Sequence, residues 1–600
     1  VVAISTQAWA LALGIRNGSK PRSATTLMAT DHTPSRPAVT GPRAATAATR
    51  IAADSLPPAP RGACTAAVRR QPTRPRMSAS SRAFVALLLG ASLSSPLVAQ
   101  KPAAPEMWPW GVGADANSFT RRDLFNLGAL GAKAWDADRP EPSLERSSGQ
   151  RRFESSNEKE GDHGPKRLVV RALFGGGPAQ KAGLALDDVI VGVDGQTFDG
   201  GCFEPLAKAL QRAETVDGKL VLQIERGGKP SDLVVKLKKL GAHAATPELG
   251  RMRQQLLDDA LEFLAQRQVG GGFPETLGGT NGAVVQTCLA GLAWIGGGSS
   301  LSKGKHKTNL ASAQSFVLRG LEAPDRMRSA GGANWDQTTW GYAHAAIFLG
   351  ELQLASGQKK PSAELQKIVD TLCVRQEVSG GYGHGPGGKN ALGYVELNIL
   401  AAYVACGLSL GQQAGCKVDG AVLDKLFGYC EQSASEDGGV GYATGPGQKG
   451  HGNIGRTAGA WLAALGLGRG EQPYTKKMGD YVRAHIAEVM GGHASLQQHM
   501  LLAGLAASTA GKDAAAAYWA GGLQRDLTLA RAPDGSLQPR PWHESLLMQS
   551  NTDVSVGEVW TTASWAIVLG AHGEAGKGGF AGWCARKAAP AASGGTTGAR

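Results

Sequence analysis

The stretch Gln376-Glu-Val-Ser-Gly-Gly-Tyr382 separates two segments of opposite character. The segment before it, Glu364 to Gln376, alternates charged residues with leucine and isoleucine, as an outer helix with one wetted face does. The segment after it, Val395 to Gly407, is small and apolar nearly all round, which predicts a buried helix ending at a glycine. The stretch therefore predicts a glycine turn between an outer helix and an inner helix.

This glycine turn recurs about every 50 residues, so the second half of the chain is a repeat. Successive copies stand 43 to 60 residues apart, and 84 of the 600 residues are glycine. The turns are Gly271-Gly272, Gly331-Gly332, Gly380-Gly381, Gly438-Gly439, Gly491-Gly492 and a degenerate Asp534-Gly535. The predicted inner helices are 284–296, 338–350, 395–407, 454–466, 495–507 and 559–570. Residues 248–585 are therefore predicted to form six helical-hairpin repeats.

Six outer–inner helical pairs resemble the (α/α)6 toroid of terpenoid cyclases and protein prenyltransferases. In those families a glycine-aromatic turn follows a glutamine, as it does in Gln268-Val-Gly-Gly-Gly-Phe273 and in Gln376–Tyr382. The resemblance implies an all-α toroid with a central cavity at the starts of the inner helices. It covers residues 248–585 and concerns architecture, because fold alone does not assign chemistry.

The active-site motifs of proteins with this architecture are absent from the sequence. The Asp-x-Asp-Asp motif that supplies the acid of triterpene cyclases is absent. Asp258-Asp259 falls on a predicted outer helix, where it is expected to face the solvent. Gln286 and Thr287, beside Cys288, are not the zinc ligands of a prenyltransferase. The Cys-Gly-Glu-Gln motif of complement-type thioester domains is also missing, and so is the Gly-x-Ser-x-Gly elbow of a serine protease that would accompany a PDZ domain. We therefore expect no metal and no cofactor, and the prediction leans against an enzyme.

Polar residues near the starts of the inner helices remain as candidates for a cavity site. Inner-helix N-termini carry positive dipole ends that would suit an anionic ligand. Each candidate also has an ordinary structural explanation, such as a helix cap for Asp336 or a hydrogen-bonded core residue for His344. The candidates are Asp336, His344, Glu396, Asn398, His451, Arg456, His499 and Glu558. Tryptophans 335, 340, 542, 560 and 565 are predicted either to line a pocket or to pack in the core.

A second pattern lies upstream, in residues 168–198. Gly177-Pro-Ala-Gln-Lys-Ala-Gly-Leu184 is a glycine-rich turn, and Asp188-Val-Ile190 begins an alternating strand. These residues resemble the signature of bacterial PDZ domains. The predicted PDZ-like domain spans 120–241, with a polar insertion at 136–166, strands near 168–174, 187–194, 219–225 and 233–238, and a helix at 203–214.

The resemblance to PDZ domains implies a peptide-binding edge. In that family a glycine-rich loop holds the terminal carboxylate of a peptide, which then adds as a strand to the sheet. The matching loop here is Leu127-Gly128-Ala129-Leu130. The insertion interrupts the usual compact pattern, so a PDZ-shaped spacer with nothing in its groove is the alternative. The partner expected at this edge is a peptide or the C-terminus of another protein.

Positive charge is concentrated at the start of the chain. Residues 1–76 hold eleven Lys or Arg and two acids, and so contribute +9 of the net +13. Without them no basic cluster predicts a nucleic-acid partner. We interpret 1–76 as a disordered prefix translated upstream of a start at Met77, with an organelle transit peptide as the alternative. Residues 77–99 read as a signal peptide cleaved before Gln100, followed by a linker at 100–119, and the chain is predicted to end in a disordered tail at 586–600.

These features predict a multidomain α+β protein, with a small β-rich PDZ-like domain before an all-α (α/α)6 toroid. The layout looks like an uncharacterised family of secreted bacterial proteins of unknown function. The predicted function is an exported binding or scaffold protein, without a membrane span or a nucleic-acid partner. The alternative is a toroid enzyme acting on an isoprenoid or a polysaccharide. In an exported chain Cys406 and Cys416, which flank one helix-to-loop stretch, are a candidate disulfide pair.

Overall fold

The structure, a computed structural model, describes eleven stretches of the chain: 124–138, 163–241, 251–273, 279–322, 337–358, 360–385, 395–489, 495–539, 553, 556–572 and 579–584. The predicted prefix, signal peptide, linker and tail lie outside these residues. So do most of the polar insertion, Asp336 and the glycine turns at 331–332 and 491–492. The described sheet and helices belong to the same compact unit.

The first half of the described chain forms one antiparallel sheet with two helices. The strands are β1 Phe125–Asn126, β2 Ala132–Asp136, β3 Leu168–Leu173, β4 Val189–Val193, β5 Gln196–Thr197, β6 Lys219–Arg226 and β7 Lys229–Lys236; the helices are α1 Pro178–Lys181 and α2 Phe203–Thr215. The sheet order is β1-β2-β3-β4-β6-β7, and β5 pairs with β4. Alternating burial along β6 places Leu220, Leu222 and Ile224 in the core beside helix α2. The predicted strands and helix of this region are present.

The second half of the described chain is helical. Each segment predicted as an inner helix is a helix, and outer helices stand between them. The helices are α3 Arg251–Arg267, α4 Gly279–Gly296, α5 Lys307–Glu322, α6 Thr338–Ala355, α7 Ala363–Val374, α8 Asn398–Gln413, α9 Gly420–Gln432, α10 Ile454–Gly466, α11 Pro473–His485, α12 Leu496–Ala510, α13 Lys512–Tyr518, α14 Gln524–Ala530 and α15 Glu558–Ala571. A short π-helical turn, Trp519–Leu523, joins α13 to α14.

Six apolar helices of this half pack in a closed cyclic order. Helix α4 contacts α6, and the contacts continue through α8, α10 and α12 to α15, which packs back against α4. We call these six helices the inner ring. They are buried on nearly every side, which explains why their sequences lack a polar face. The fold is therefore mixed, with a β-rich first part and a helical second part.

The glycine turns hold the outer helices against their neighbours. The first glycine of each described pair has a left-handed backbone, with φ of 92° at Gly271, 94° at Gly380 and 95° at Gly438. A Cβ atom at Gly271 would lie 2.5 Å from the carbonyl oxygen of Ser312 on α5. Both the backbone conformation and this close approach require glycine. The repeat seen in the sequence is thus a repeated packing contact.

A C-terminal segment closes the end of the inner ring where its helices finish. Phe580 and Trp583 are buried in the helical core. The carboxylate of Glu351, fully buried near the end of α6, accepts hydrogen bonds from the backbone N–H groups of Ala581, Gly582 and Trp583. We call residues 579–584 the plug. The inner-helix starts, where the candidate site residues cluster, lie at the other end of the ring.

The predicted pairing of Cys406 with Cys416 is wrong. All seven described cysteines are free. Helix α8 continues seven residues beyond Cys406, which is about 10 Å of helix rise. A disulfide needs Cα atoms within roughly 7 Å of each other. No helix in the described part of the chain is long and apolar enough to cross a membrane.

Candidate functional site

An aromatic cluster with one carboxyl group lies where the inner helices begin. It consists of Trp340 and His344 on α6, Tyr403 on α8, Trp560 on α15, and Asp553, which precedes α15. We call these five residues the central cluster. All five are buried. Residues more than 200 positions apart in sequence meet there because the ring closes α15 onto α4, beside α6.

His344 stands at the middle of this cluster. Its ring stacks on Tyr403 with centroids 4.6 Å apart and lies 6.3 Å from both Trp340 and Trp560. Its Nδ1 lies 2.9 Å from the backbone oxygen of Trp340, so Nδ1 carries the proton. Burial lowers the pKa of His344 to about 4, which keeps the imidazole neutral at pH 7.

The second ring nitrogen of His344 is a buried acceptor. Its Nε2 has no hydrogen-bond partner among the described residues. Leaving a buried acceptor unsatisfied costs about 1–3 kcal/mol, and a ligand that donates a hydrogen bond there would recover that cost. The arrangement therefore suits a ligand with an apolar or aromatic body and one hydrogen-bond donor.

Asp553 supplies the carboxyl group of the cluster. Its oxygens accept hydrogen bonds from Ser495 Oγ at 2.5 Å, the backbone nitrogen of Gln497 at 3.1 Å and Trp560 Nε1 at 3.1 Å. Burial raises the pKa of Asp553 to about 6, although these three donors favour the charged form. Asp553 can therefore release and take up a proton close to neutral pH.

Two neighbours fix the aromatic walls. Trp340 donates from Nε1 to His384 Nδ1 at 2.8 Å, and burial lowers the pKa of His384 to about 4. The Tyr403 hydroxyl donates to the backbone oxygen of Gln498 at 3.2 Å. Both bonds satisfy polar atoms that would otherwise be buried alone, so the two rings are held in place.

Among the polar candidates that the structure describes, His344 alone lies in the central cluster, together with Trp340 and Trp560 of the predicted tryptophans. Arg456 donates to the backbone oxygens of Val440 at 3.1 Å and His451 at 3.2 Å, and burial lowers the pKa of its guanidinium to about 10. His499 Nδ1 lies 2.7 Å from Asn453 Oδ1, which also caps α10. These residues shape the turn before α10. His451 itself is exposed.

The remaining predicted residues lie elsewhere. Glu558 is tied to Gln538 at 3.0 Å and to Arg267 at 3.5 Å. Asn398 donates to Ser433 Oγ at 2.7 Å, which joins the start of α8 to the end of α9. Glu396 accepts a hydrogen bond from Tyr429 through its backbone oxygen, and its side chain is half-buried. Asp336 lies outside the described residues.

Sequence reasoning missed Asp553, Tyr403, His384 and the chemical use of Trp560. Asp553 stands five residues before Glu558, and so shortly precedes an inner helix, as the candidates Asp336 and His451 do. That position was the available signal for Asp553. Tyr403 lies in mid-helix among apolar residues, and nothing in its local sequence marks it.

The loop predicted to bind a peptide is covered by the helical region. Leu127 and Leu130 are fully buried, and residues Gly128–Leu130 form a single 3-10 turn that contacts α14. Strand β1 pairs with the β2 edge at Lys133 and Ala134. Strand β1 thus takes the edge position of the sheet next to β2.

Within the part of the chain that the structure describes, no three His, Cys, Asp or Glu residues are grouped as metal ligands. Asp553 is the one carboxyl group among the five residues of the central cluster. A carboxylate pair of the kind that glycoside hydrolysis uses is not formed by these five residues. The five residues can offer a ligand hydrogen bonds, aromatic contacts and the exchangeable proton of Asp553.

Replacing Asp553 by asparagine should change how stability depends on pH. A folded-state pKa of about 6, above the ordinary 3.8, means that Asp553 adds stability below pH 3.8 that is lost as pH rises through 6. The asparagine side chain of the variant would stay neutral throughout. Urea unfolding should therefore show the wild-type stability falling relative to the variant by about 2 kcal/mol between pH 4.5 and 7.5. His344 and His384 are present in both chains, so their contributions to the pH dependence cancel. A difference in unfolding free energy between the two chains that does not change with pH would contradict the raised pKa of Asp553.

Comparison with known proteins places the helical part in a family. The sequence model of the family described as domain of unknown function (DUF6288) matches residues 257–569, slightly more than half of the chain. The chain therefore belongs to this family. The match covers the inner ring and most of the outer helices, and it leaves out the sheet. No curated protein matches the sequence.

Proposed function

We propose that this member of the DUF6288 family is a binding protein that holds a small apolar ligand at the central cluster. The proposed architecture is an (α/α)6 toroid behind a PDZ-like domain. The closed cyclic packing of six inner helices supports the toroid. The order of strands and helices around Gly177–Leu184 supports the PDZ-like domain.

One observation carries the binding proposal: His344 Nε2 is a buried acceptor without a described partner, enclosed by aromatic rings. Aromatic walls provide a large apolar contact area, and the acceptor selects for a donor group. The neutral imidazole and the single carboxyl favour a neutral alcohol over an anion. An isoprenoid alcohol combines an apolar body with one hydroxyl donor, and so fits this chemistry.

The test compares geraniol with geranyl methyl ether, which has a similar body but no hydroxyl donor. The wild-type chain should bind geraniol at least about tenfold more tightly, since one recovered hydrogen bond is worth about 1.4 kcal/mol. Saturation-transfer NMR and quenching of tryptophan fluorescence report the binding. His344→Phe keeps an aromatic ring of similar size and removes the acceptor, so it should abolish the preference for the alcohol.

His485→Phe is the matched control, because His485 also stacks on a tyrosine, at 4.2 Å from Tyr481, but lies outside the central cluster. This variant should keep the wild-type preference. Equal binding of alcohol and ether by the wild-type chain would refute the proposal. So would a preference that survives in His344→Phe.

A proton-transfer enzyme at the same cluster is the second candidate. The observation that favours it is the raised pKa of Asp553, which provides a buried proton donor beside an aromatic wall. Aromatic faces stabilise a positive charge that develops on an apolar substrate. Incubation of geraniol with the chain at pH 5 and pH 7, followed by product analysis, tests this. Product formed by the wild type but not by Asp553→Asn, and more of it at pH 5, would support the enzyme.

Export of the protein remains our proposal as well. The apolar segment Ala83–Leu93 and the small residue Ala99 support cleavage before Gln100. N-terminal sequencing of the mature chain tests this proposal. A mature start well upstream of Gln100 would refute it.

A further inference from the structure

A segment of the helical region is inserted into the sheet region. Residues Thr528 to Gln538, at and beyond the end of α14, lie against the loop that precedes β2. Leu529 is 9% exposed and packs within the hydrophobic core of the sheet, in which the other described members belong to residues 124–237. We call residues 528–538 the docked segment.

Buried polar contacts fix this segment. Asn126 Nδ2 donates to the backbone oxygens of Leu529 at 2.5 Å and Arg531 at 2.9 Å, and so satisfies carbonyls that the helix end leaves open. Arg531 Nη2 donates to Glu214 Oε2 at 2.6 Å in a pair that is almost fully buried. The sheet region thus provides an apolar pocket for Leu529, a hydrogen-bond donor for two backbone carbonyls and a carboxylate for Arg531.

The fit at the loop is close. A Cβ atom at Gly128 would lie 2.8 Å from the carbonyl oxygen of Thr528, and one at Gly131 would lie 2.7 Å from Pro533. Both glycines have positive φ. The glycine-rich loop that would hold a peptide terminus thus holds this chain's own backbone.

The far end of the docked segment reaches the inner ring. Lys133 Nζ on β2 donates to Gln538 Oε1 at 2.8 Å, and Gln538 Nε2 donates to Glu558 Oε2 at 3.0 Å. Leu537 donates from its backbone nitrogen to Thr562 Oγ1 at 2.8 Å. The sheet is therefore connected by hydrogen bonds to the first turns of α15, which carries Trp560 of the central cluster.

The surface that receives the docked segment consists of Asn126, the loop 127–131, Lys133 and Glu214, and we call it the groove. We propose that the groove is an interaction surface for this chain's own docked segment, and that docking of this segment positions the start of α15. The groove binds a leucine presented at a helix C-terminus, with arginine two residues later, rather than the terminal carboxylate of another protein. This inference does not depend on the ligand of the central cluster. It makes the sheet region a support for one wall of that site.

The first experiment uses a fluorescein-labelled peptide that copies residues 524–538. The wild-type chain should not bind it, because the groove is occupied. Leu529→Asp in the full chain places a charge in the apolar pocket, should release the docked segment and should bind the peptide, as measured by fluorescence anisotropy. Equal binding of the peptide by the two chains would overturn the proposal.

A second measurement uses a milder change, so that the proposal does not depend on how well Leu529→Asp folds. Lys133→Met removes the hydrogen bond to Gln538, and Lys208→Met, an exposed lysine on α2, is the control. Hydrogen exchange at the amides of Thr561 and Thr562 should be at least about fivefold faster in Lys133→Met, because the start of α15 loses its support. Exchange in Lys208→Met should match the wild type. Equal rates in both variants would overturn the positioning role.

Discussion

Replacing Glu214 by glutamine is expected to lower the free energy of unfolding by about 3–5 kcal/mol. Glu214 and Arg531 are almost fully buried, at 3% and 7% side-chain exposure, and their 2.6 Å contact joins the sheet to the helical region. Glutamine keeps the size of the side chain but removes the negative charge. The guanidinium of Arg531 then remains buried without its counter-charge, and that desolvation cost destabilises the fold. Urea unfolding followed by tryptophan fluorescence measures the change.

An exposed ion pair provides the matched control for Glu214→Gln. Arg483 and Asp480 lie 2.6 Å apart with side chains 52% and 74% exposed. Asp480→Asn should therefore cost less than about 1 kcal/mol. Replacing both buried partners, by Glu214→Leu with Arg531→Met, should recover most of the loss, because no charge is then left unpaired. If Glu214→Gln behaved like Asp480→Asn, the pair would not be holding the two regions together.

The helices of this protein were predictable because their burial is recorded locally in the sequence. An inner helix such as Ile454–Gly466 is enclosed by neighbours on all sides, so its residues other than Arg456 and Thr457 are small or apolar. The turn glycines were equally predictable from the sequence, since a left-handed backbone conformation close to a neighbouring helix strongly favours glycine. Each of these signals depends on residues within one repeat.

The candidate site and the docked segment depend instead on contacts across the whole chain. Asp553 meets Ser495 from 58 residues away, and Arg531 meets Glu214 across 317 residues. No local pattern encodes such pairs, because they form only when elements that are distant in sequence pack together. His344 could be named as a candidate but not chosen, since two of the three rings around it, Tyr403 and Trp560, come from other parts of the sequence. The loop predicted to bind a peptide forms a turn at Gly128–Leu130, but its contact with α14 could not be predicted from the sequence.

Replacing Glu351 by glutamine should release the plug. The carboxylate is fully buried and receives the backbone N–H groups of Ala581, Gly582 and Trp583. In glutamine an NH₂ group replaces one of the two acceptor oxygens. This NH₂ donor would face the backbone N–H donors of the plug, so the hydrogen bonds to that position are lost. Each hydrogen bond to a charged group is worth about 1.5–3 kcal/mol, so losing two of them costs at least about 3 kcal/mol.

This cost is comparable to the free energy that holds the plug in place. Burying Phe580 and Trp583 contributes about 1.5–3 kcal/mol each. We therefore expect Glu351→Gln to expose Trp583 to water, with a red shift of its fluorescence and faster hydrogen exchange at residues 581–583. Glu364→Gln, in the exposed first turn of α7, should change stability by less than about 1 kcal/mol. A Glu351→Gln chain with native fluorescence and native exchange at the plug would show that apolar burial alone closes this end of the ring.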